Sequence, residues 1–150
     1  NLFSGDSGLK RKVLNSRTIM DALMEEFVQE DQYEGKAIAC LRNLFKGAYC
    51  GEVEAYFMRN CALFGECVAL FNDCKDVCYL DNLKHLMCDL LTLDSVIRER
   101  GERMIDFEKL KGSEQFFQGY LRIEKYANEK RDHMWEEIEQ KIRKMCEMEC

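Results

Sequence analysis

The sequence predicts an all-α protein, stacked as an α-solenoid of about three repeats with three helices each, and three observations carry that expectation. The chain has no proline and 9 glycines in 150 residues, a composition that leaves the helical hydrogen-bond ladder unbroken over long stretches. Apolar residues recur at steps of three and four in segment after segment, as a buried helix face requires, and no stretch alternates polar with apolar as a strand would. The pentapeptide NLFSG at residues 1–5 returns as NLFKG at residues 43–47, and a recurrence at such a spacing marks a repeat architecture.

Breaks rich in glycine and polar residues are expected at 5–8, 32–35, 47–51, 72–75 and 93–95, and at Gly112 and Gly119. Between the two pentapeptides lie helical stretches at 10–28 and 34–45, the first dividing near 15–18. In the second, Ala37, Leu41, Leu44 and Phe45 share one face. Residues 13–19 align with 57–63, which a two-residue insertion after Gly47 explains. The third helix recurs at 76–91 with Val77, Leu80, Leu83, Leu86 and Leu90 in register, and Ile138, Ile142 and Met145 close the chain in the same way. The single domain 1–150 then holds the end of one repeat (1–9), two repeats (10–48 and 49–93) and a diverged last one (94–150). The plain alternative is a helical bundle in which the pentapeptide match is coincidence.

With 47% hydrophobic and 33% charged residues, the chain has the balance of one globular unit with its own core. No apolar run approaches the roughly 18 residues that span a bilayer, so no membrane partner is expected. A net charge of −6 without a long basic stripe argues against nucleic acid and suits basic partners. The short LKRK at 9–12 reads more simply as a solvated helix face than as a localisation signal. The absence of an initiator Met suggests a piece of a longer chain, with an apolar end at the Asn1 side that favours self-association.

Nine cysteines first suggest a disulfide framework. The count is odd, however, and Cys40, Cys67 and Cys88 sit in apolar helical runs where a thiol behaves as a small hydrophobe. Cys74 with Cys78, and Cys146 with Cys150, share helix faces at i, i+4. Zinc would need four converging ligands, which His85 and His133 do not complete. Free thiols in a reducing compartment are the preferred expectation over disulfides or zinc, with no metal and no cofactor.

Three helices per roughly 42 residues is the grammar of an armadillo repeat, and the order of several segments resembles the C-terminal armadillo repeats of importin-α (karyopherin-α), a nuclear-import adaptor. That family writes a repeat junction as Asn-Ile/Leu-x-x-Gly, a spacer, then Val-Ile-Asn/Asp-x-Gly-x-Ile. Here Asn1-Leu2-Phe3-Ser4-Gly5 runs to Val13-Leu14-Asn15-Ser16-Arg17-Thr18-Ile19, with Arg17 where the family prefers Gly. LKHLMCDLLTLDSVI at 83–97 is similar to the family's late Leu-Cys-Asp-Leu-Leu-Thr stretch, and Gly119-Tyr120-Leu121-Arg122-Ile123-Glu124 to its Gly-Leu-Asp-Lys-Ile-Glu. The resemblance implies an armadillo-type right-handed solenoid. It also implies a non-catalytic scaffold that moves nuclear localisation signal cargo between cytoplasm and nucleus. The importin-β-binding segment and the main cargo site would lie outside residues 1–150.

In that family the third helices line a groove with Trp-x-x-x-Asn. The Asn amide clamps a peptide backbone through one acceptor and two donors, and paired indoles make slots for Lys or Arg stems. By resemblance, Asn1 and Asn43 are the peptide-binding positions. One turn before Asn43 stands Ala39 rather than Trp, and Lys36 replaces the usual Glu, so the slot for a basic peptide is degraded. Met87 stands at the next asparagine position. In the last repeat, the family's docking motif for an export receptor or a nucleoporin falls on Glu129, Lys130 and Arg131, with Trp135 in its aromatic place.

Catalysis is not expected: no Gly-rich phosphate loop, no His-Glu-x-x-His and no Gly-x-Ser-x-Gly occurs. His85 with Cys88 at i, i+3 lacks a third group to orient the base and reads as packing. The expectation is therefore a protein-binding scaffold whose partners are a basic peptide, an export receptor or a nucleoporin. The alternative is a helical interaction or structural domain unrelated to nuclear transport, with a secreted cysteine-stapled protein the weakest reading.

Overall fold

A computed structural model of the protein describes residues 12–13, 16–29, 36–45, 63–71 and 77–148. Outside these lie Asn1 and its pentapeptide, the expected breaks at 5–8, 32–35, 47–51 and 72–75, residues 9–11 of the basic tetrapeptide, the repeat match at 57–62, and Cys74 and Cys150. The side chains of Lys36, Ala37, Phe45, Val77 and Cys78 are also outside. All regular structure among the described residues is helical. The elements are α1 (Arg17–Gln29), α2 (Lys36–Phe45), α3 (Leu63–Leu70), α4 (Val77–Glu99), α5 (Phe107–Lys111), α6 (Glu114–Lys130) and α7 (His133–Met148).

Local chemistry sets the ends. Ser16 starts α1, its Oγ accepting from Ile19 N at 3.3 Å, and Ser113 starts α6 by accepting from Phe116 N; both are N-caps of ordinary kind. Gly112 ends α5 as the sequence predicts. The break expected at 93–95 is absent, because α4 continues to Glu99. Ser95, inside that expected break, turns its hydroxyl onto its own helix, Oγ donating to Leu91 O at 3.0 Å, as the neighbouring Thr92 Oγ1 donates to Cys88 O at 2.8 Å. The helix stops instead at Gly101, φ 82°, where Gly101 N meets Arg98 O and Glu102 N meets Ile97 O. That paired closure suits a glycine in the left-handed region.

Gly119 is a second correction, since it lies inside α6 rather than ending a helix. A Cβ built there would stand 2.3 Å from Val68 O of α3, so the missing side chain lets two helix backbones approach.

The helices pair as α1 with α2, α3 with α4, and α6 with α7. Between pairs, α2 packs on α4, α4 on α7, and α3 on α6, while α5 supports both α6 and α7. The second members thus form a row α2–α4–α7 with the long α4 at its centre. No major contact among the described residues joins α1–α2 to α6–α7. The expected faces are buried: Leu41 and Leu44 on α2, Leu80, Leu83, Leu86 and Leu90 on α4, Ile138 and Ile142 on α7. Between α3 and the α6–α7 pair, Phe71, Tyr126 and Trp135 stack edge to face with centroids 5.0 to 5.9 Å apart, a geometry aromatic quadrupoles favour.

Candidate functional site

The second-row helices carry a continuous polar network. Arg42 of α2 donates from Nη1 to Asn82 Oδ1 at 2.7 Å and lies 3.3 Å from Asp81 Oδ2, both on α4. One turn on, Lys84 lies 3.7 Å from Asp81 Oδ1 and donates to Asp132 Oδ2 at 2.9 Å. Asp132 opens α7, its Oδ1 accepting from Met134 N at 2.9 Å and Trp135 N at 3.2 Å. Charge therefore runs from α2 through α4 to α7.

Two groups of this network, Lys84 and Asp132, titrate away from their ordinary values. Burial pulls the Lys84 ammonium down, but the hydrogen bond and charge of Asp132, together with Asp81, outweigh it and hold Lys84 above the lysine range. Burial pushes Asp132 up, and the Lys84 hydrogen bond with the two α7 amides outweighs that in turn, so the carboxyl sits below the carboxylate range. Both groups stay charged at neutral pH.

The peptide-binding positions suggested by resemblance fall beside this network. Asn43 is half-buried on α2, with one amide donor committed to Ala39 O at 3.0 Å, and Ala39 itself is half-buried. Met87, the next asparagine position, is fully buried, so no side chain at that register faces solvent on α4. Glu129, Lys130 and Arg131 are exposed at the turn from α6 to α7. Arg131 closes α6 with φ 53°, its N–H bonded to Ala127 O. Trp135 is buried, 2% exposed, and backs that turn from within. Asp132 brings the turn onto the Lys84 end of the network, whereas Asn43 sits at its Arg42 end.

The His85 and Cys88 pair does not have the electrostatics of a nucleophile and base. His85 Nε2 lies 3.7 Å from Asp81 Oδ1, and burial, then Glu137, pushes the Cys88 thiol up to about 11. Cys67, fully buried, is pushed up as well by desolvation and Glu66. Both are held as thiols at neutral pH, opposite to an activated cysteine. None of Cys40, Cys67, Cys88 and Cys146 is in a disulfide. Among the described residues no cluster of three or more His, Cys, Asp or Glu could hold a metal, and no helix is long and apolar enough to cross a membrane.

Sequence reasoning missed two buried acids. Asp94, 2% exposed, accepts from Met104 N at 3.2 Å, Ile105 N at 2.9 Å and Arg98 Nε at 2.6 Å. Arg98 in turn donates to Ile105 O at 2.7 Å and lies 5.5 Å over the Phe107 ring. This pair fixes the 100–106 connection onto α4; its sequence signal is an Asp and Arg at i, i+4 inside an apolar helix. Glu139, 8% exposed, accepts from Tyr120 OH at 2.7 Å. No protein-family profile, no curated protein and no solved structure matches the chain.

Proposed function

We propose that the chain is a non-catalytic protein-binding scaffold of the armadillo type, a right-handed α-solenoid that forms the C-terminal part of an importin-α-like adaptor. The observation that supports this reading is the pairwise, neighbour-to-neighbour packing: α2, α4 and α7 make one row, α3 and α6 another, and among the described residues each pair makes its major contacts with the pair beside it. In such arrays the unit cannot bury its face alone and stacking completes the core. The second-row helices would line the groove, and the exposed Glu129-Lys130-Arg131 turn, stiffened by Arg131 and backed by Trp135, would be the docking surface of the last repeat.

The state of the ladder favours a second reading. Met87 is buried and Arg42 is engaged with Asp81 and Asn82, so the row offers a salt-linked surface where the family has asparagines and indoles. That suits a helical interaction domain outside nuclear transport. Fluorescence anisotropy of a labelled Lys/Arg-rich peptide, and pull-down with an export receptor, separate the two. The adaptor reading expects at least one to bind and Glu129→Lys with Lys130→Glu to weaken the receptor contact. Binding of neither overturns the adaptor and leaves the scaffold.

A further inference from the structure

A buried carboxylate closes the connection between α4 and α5. Asp94 Oδ1 accepts from Met104 N at 3.2 Å and Ile105 N at 2.9 Å, its Oδ2 accepts from Arg98 Nε at 2.6 Å, and the same guanidinium donates to Ile105 O at 2.7 Å. The backbone at 104–105 is thus held to α4 by two side chains one turn apart. Such a buried ion pair adds little net stability over apolar packing of the same volume. It is directional, however, and fixes one path for the chain that it binds.

The segment behind this clamp is bounded by glycines and thinly supported. Gly101, at φ 82°, has open space around a built Cβ, and Gly112 ends α5. Between them α5 has five residues, fewer than a helix needs to persist by itself. Two clefts border it. One of about 250 Å³ against α3 is lined by Lys109 and Leu110, and one of about 360 Å³ against α6 and α7 reaches Lys111. Empty space beside a helix means lost dispersion contacts on that side. What holds α5 down besides the clamp is apolar: Met104, Ile105 and Phe107 are each 2% exposed or less. The Phe107 ring meets Phe64 of α3 edge to face at 5.8 Å and lies 5.5 Å from the Arg98 guanidinium.

We infer that residues 102–111 form a lid, hinged at Gly101 and Gly112 and latched by Asp94 and Arg98, that opens as one unit while α4 stays folded. A few residues at element ends absorb the backbone change in such motions, and movable segments come from the least stable parts of a fold. Opening carries the α5 wall away from both clefts together, because the latch and the two linings lie on one short stretch of chain. Arg98 couples the parts: it binds the Asp94 carboxylate, the Ile105 carbonyl and the Phe107 face at once.

Amide-resolved hydrogen exchange of the folded chain tests this. In the wild type, the amides of Met104, Ile105 and Leu110 are expected to share one protection factor, about tenfold or more below that of Leu83 and Leu86 in α4. Arg98→Met keeps an unbranched stem but removes the bonds to Asp94 and Ile105. It should lower the protection of the three lid amides about tenfold or more, the scale of a lost charged hydrogen bond, and leave Leu83 and Leu86 within about twofold. Equal protection of lid and α4 in the wild type overturns the proposal, a comparison that decides even where the variant does not fold. So does an Arg98→Met that exposes lid and α4 by the same factor, or one that exposes Met104 and Ile105 while Leu110 is unchanged. The lid rests on no part of the adaptor reading, which stands or falls separately on peptide and receptor binding.

Discussion

Asp132 acts at both carboxylate oxygens: one caps α7 through two backbone amides, the other holds Lys84 of α4. Asp132→Ala should destabilise the protein by about 1–2 kcal/mol at neutral pH, a lost cap of about 1 kcal/mol plus a modest ion-pair contribution. The folded carboxyl titrates below its ordinary value, so its contribution is present above the unfolded-chain value of about 3.9 and is lost as pH falls through the folded value. Urea unfolding should show a constant gap between wild type and variant from pH 5 to about 8, narrowing below about pH 4. A gap that widens in acid would refute the assignment. Lys84, raised instead, contributes below the lysine value of about 10.4 and loses its contribution only as pH rises through the folded value. Neither role was legible in the sequence, which pointed to 129–131 and Trp135 on either side. Asp132 is a cap only once the start of α7 is known, and its partner Lys84 is too distant for any local pattern to reveal.

Helix positions and faces were readable where one periodicity governed the residues. The Leu80, Leu83, Leu86 and Leu90 stripe and the Ile138 and Ile142 pair are core, because a buried face imposes its spacing directly on the sequence. Breakers were readable only in part: Gly112 ends α5 as expected, but the same residue types serve inside helices when a neighbour requires it. Ser95 bonds back to Leu91, and Gly119 admits α3. The glycines permit a decisive comparison. At Gly119 an added methyl meets the Val68 backbone oxygen at 2.3 Å; at Gly65 it meets Leu110 Cδ2 at 2.7 Å, the tip of a flexible side chain. Alanine gains roughly 0.8–1 kcal/mol of helix propensity at either site. Backbone cannot step aside, so overpacking of about 1–3 kcal/mol should win at Gly119→Ala. Leu110 can rotate, so Gly65→Ala should be near neutral or slightly stabilising. Thermal unfolding of the two variants decides it, and equal Tm values would show that the α3–α6 contact is not close.

At the scale of the whole molecule, the lack of a major contact between α1–α2 and α6–α7 among the described residues should make stability divisible in a way that a closed bundle does not allow. Leu41 of α2 and Leu86 of α4 are both fully buried, and truncating either to Ala costs about 2–5 kcal/mol by lost transfer and cavity formation. Their reach should differ. Leu41 lies in the pair that touches the rest of the described structure chiefly through α4, whereas α4 itself packs on α2, α3 and α7. In a quasi-one-dimensional array each unit's stability is its own plus that of its nearest interfaces, and local opening can then occur in one part while another stays closed. Native-state hydrogen exchange should therefore show Leu41→Ala speeding exchange in α1 and α2 with α6 and α7 unchanged, while Leu86→Ala speeds it throughout. In a bundle with one shared core, both variants would lower protection everywhere by similar factors. Faster exchange of α6 and α7 in Leu41→Ala, matching that in α1 and α2, would reject the array and with it the structural basis of the scaffold reading.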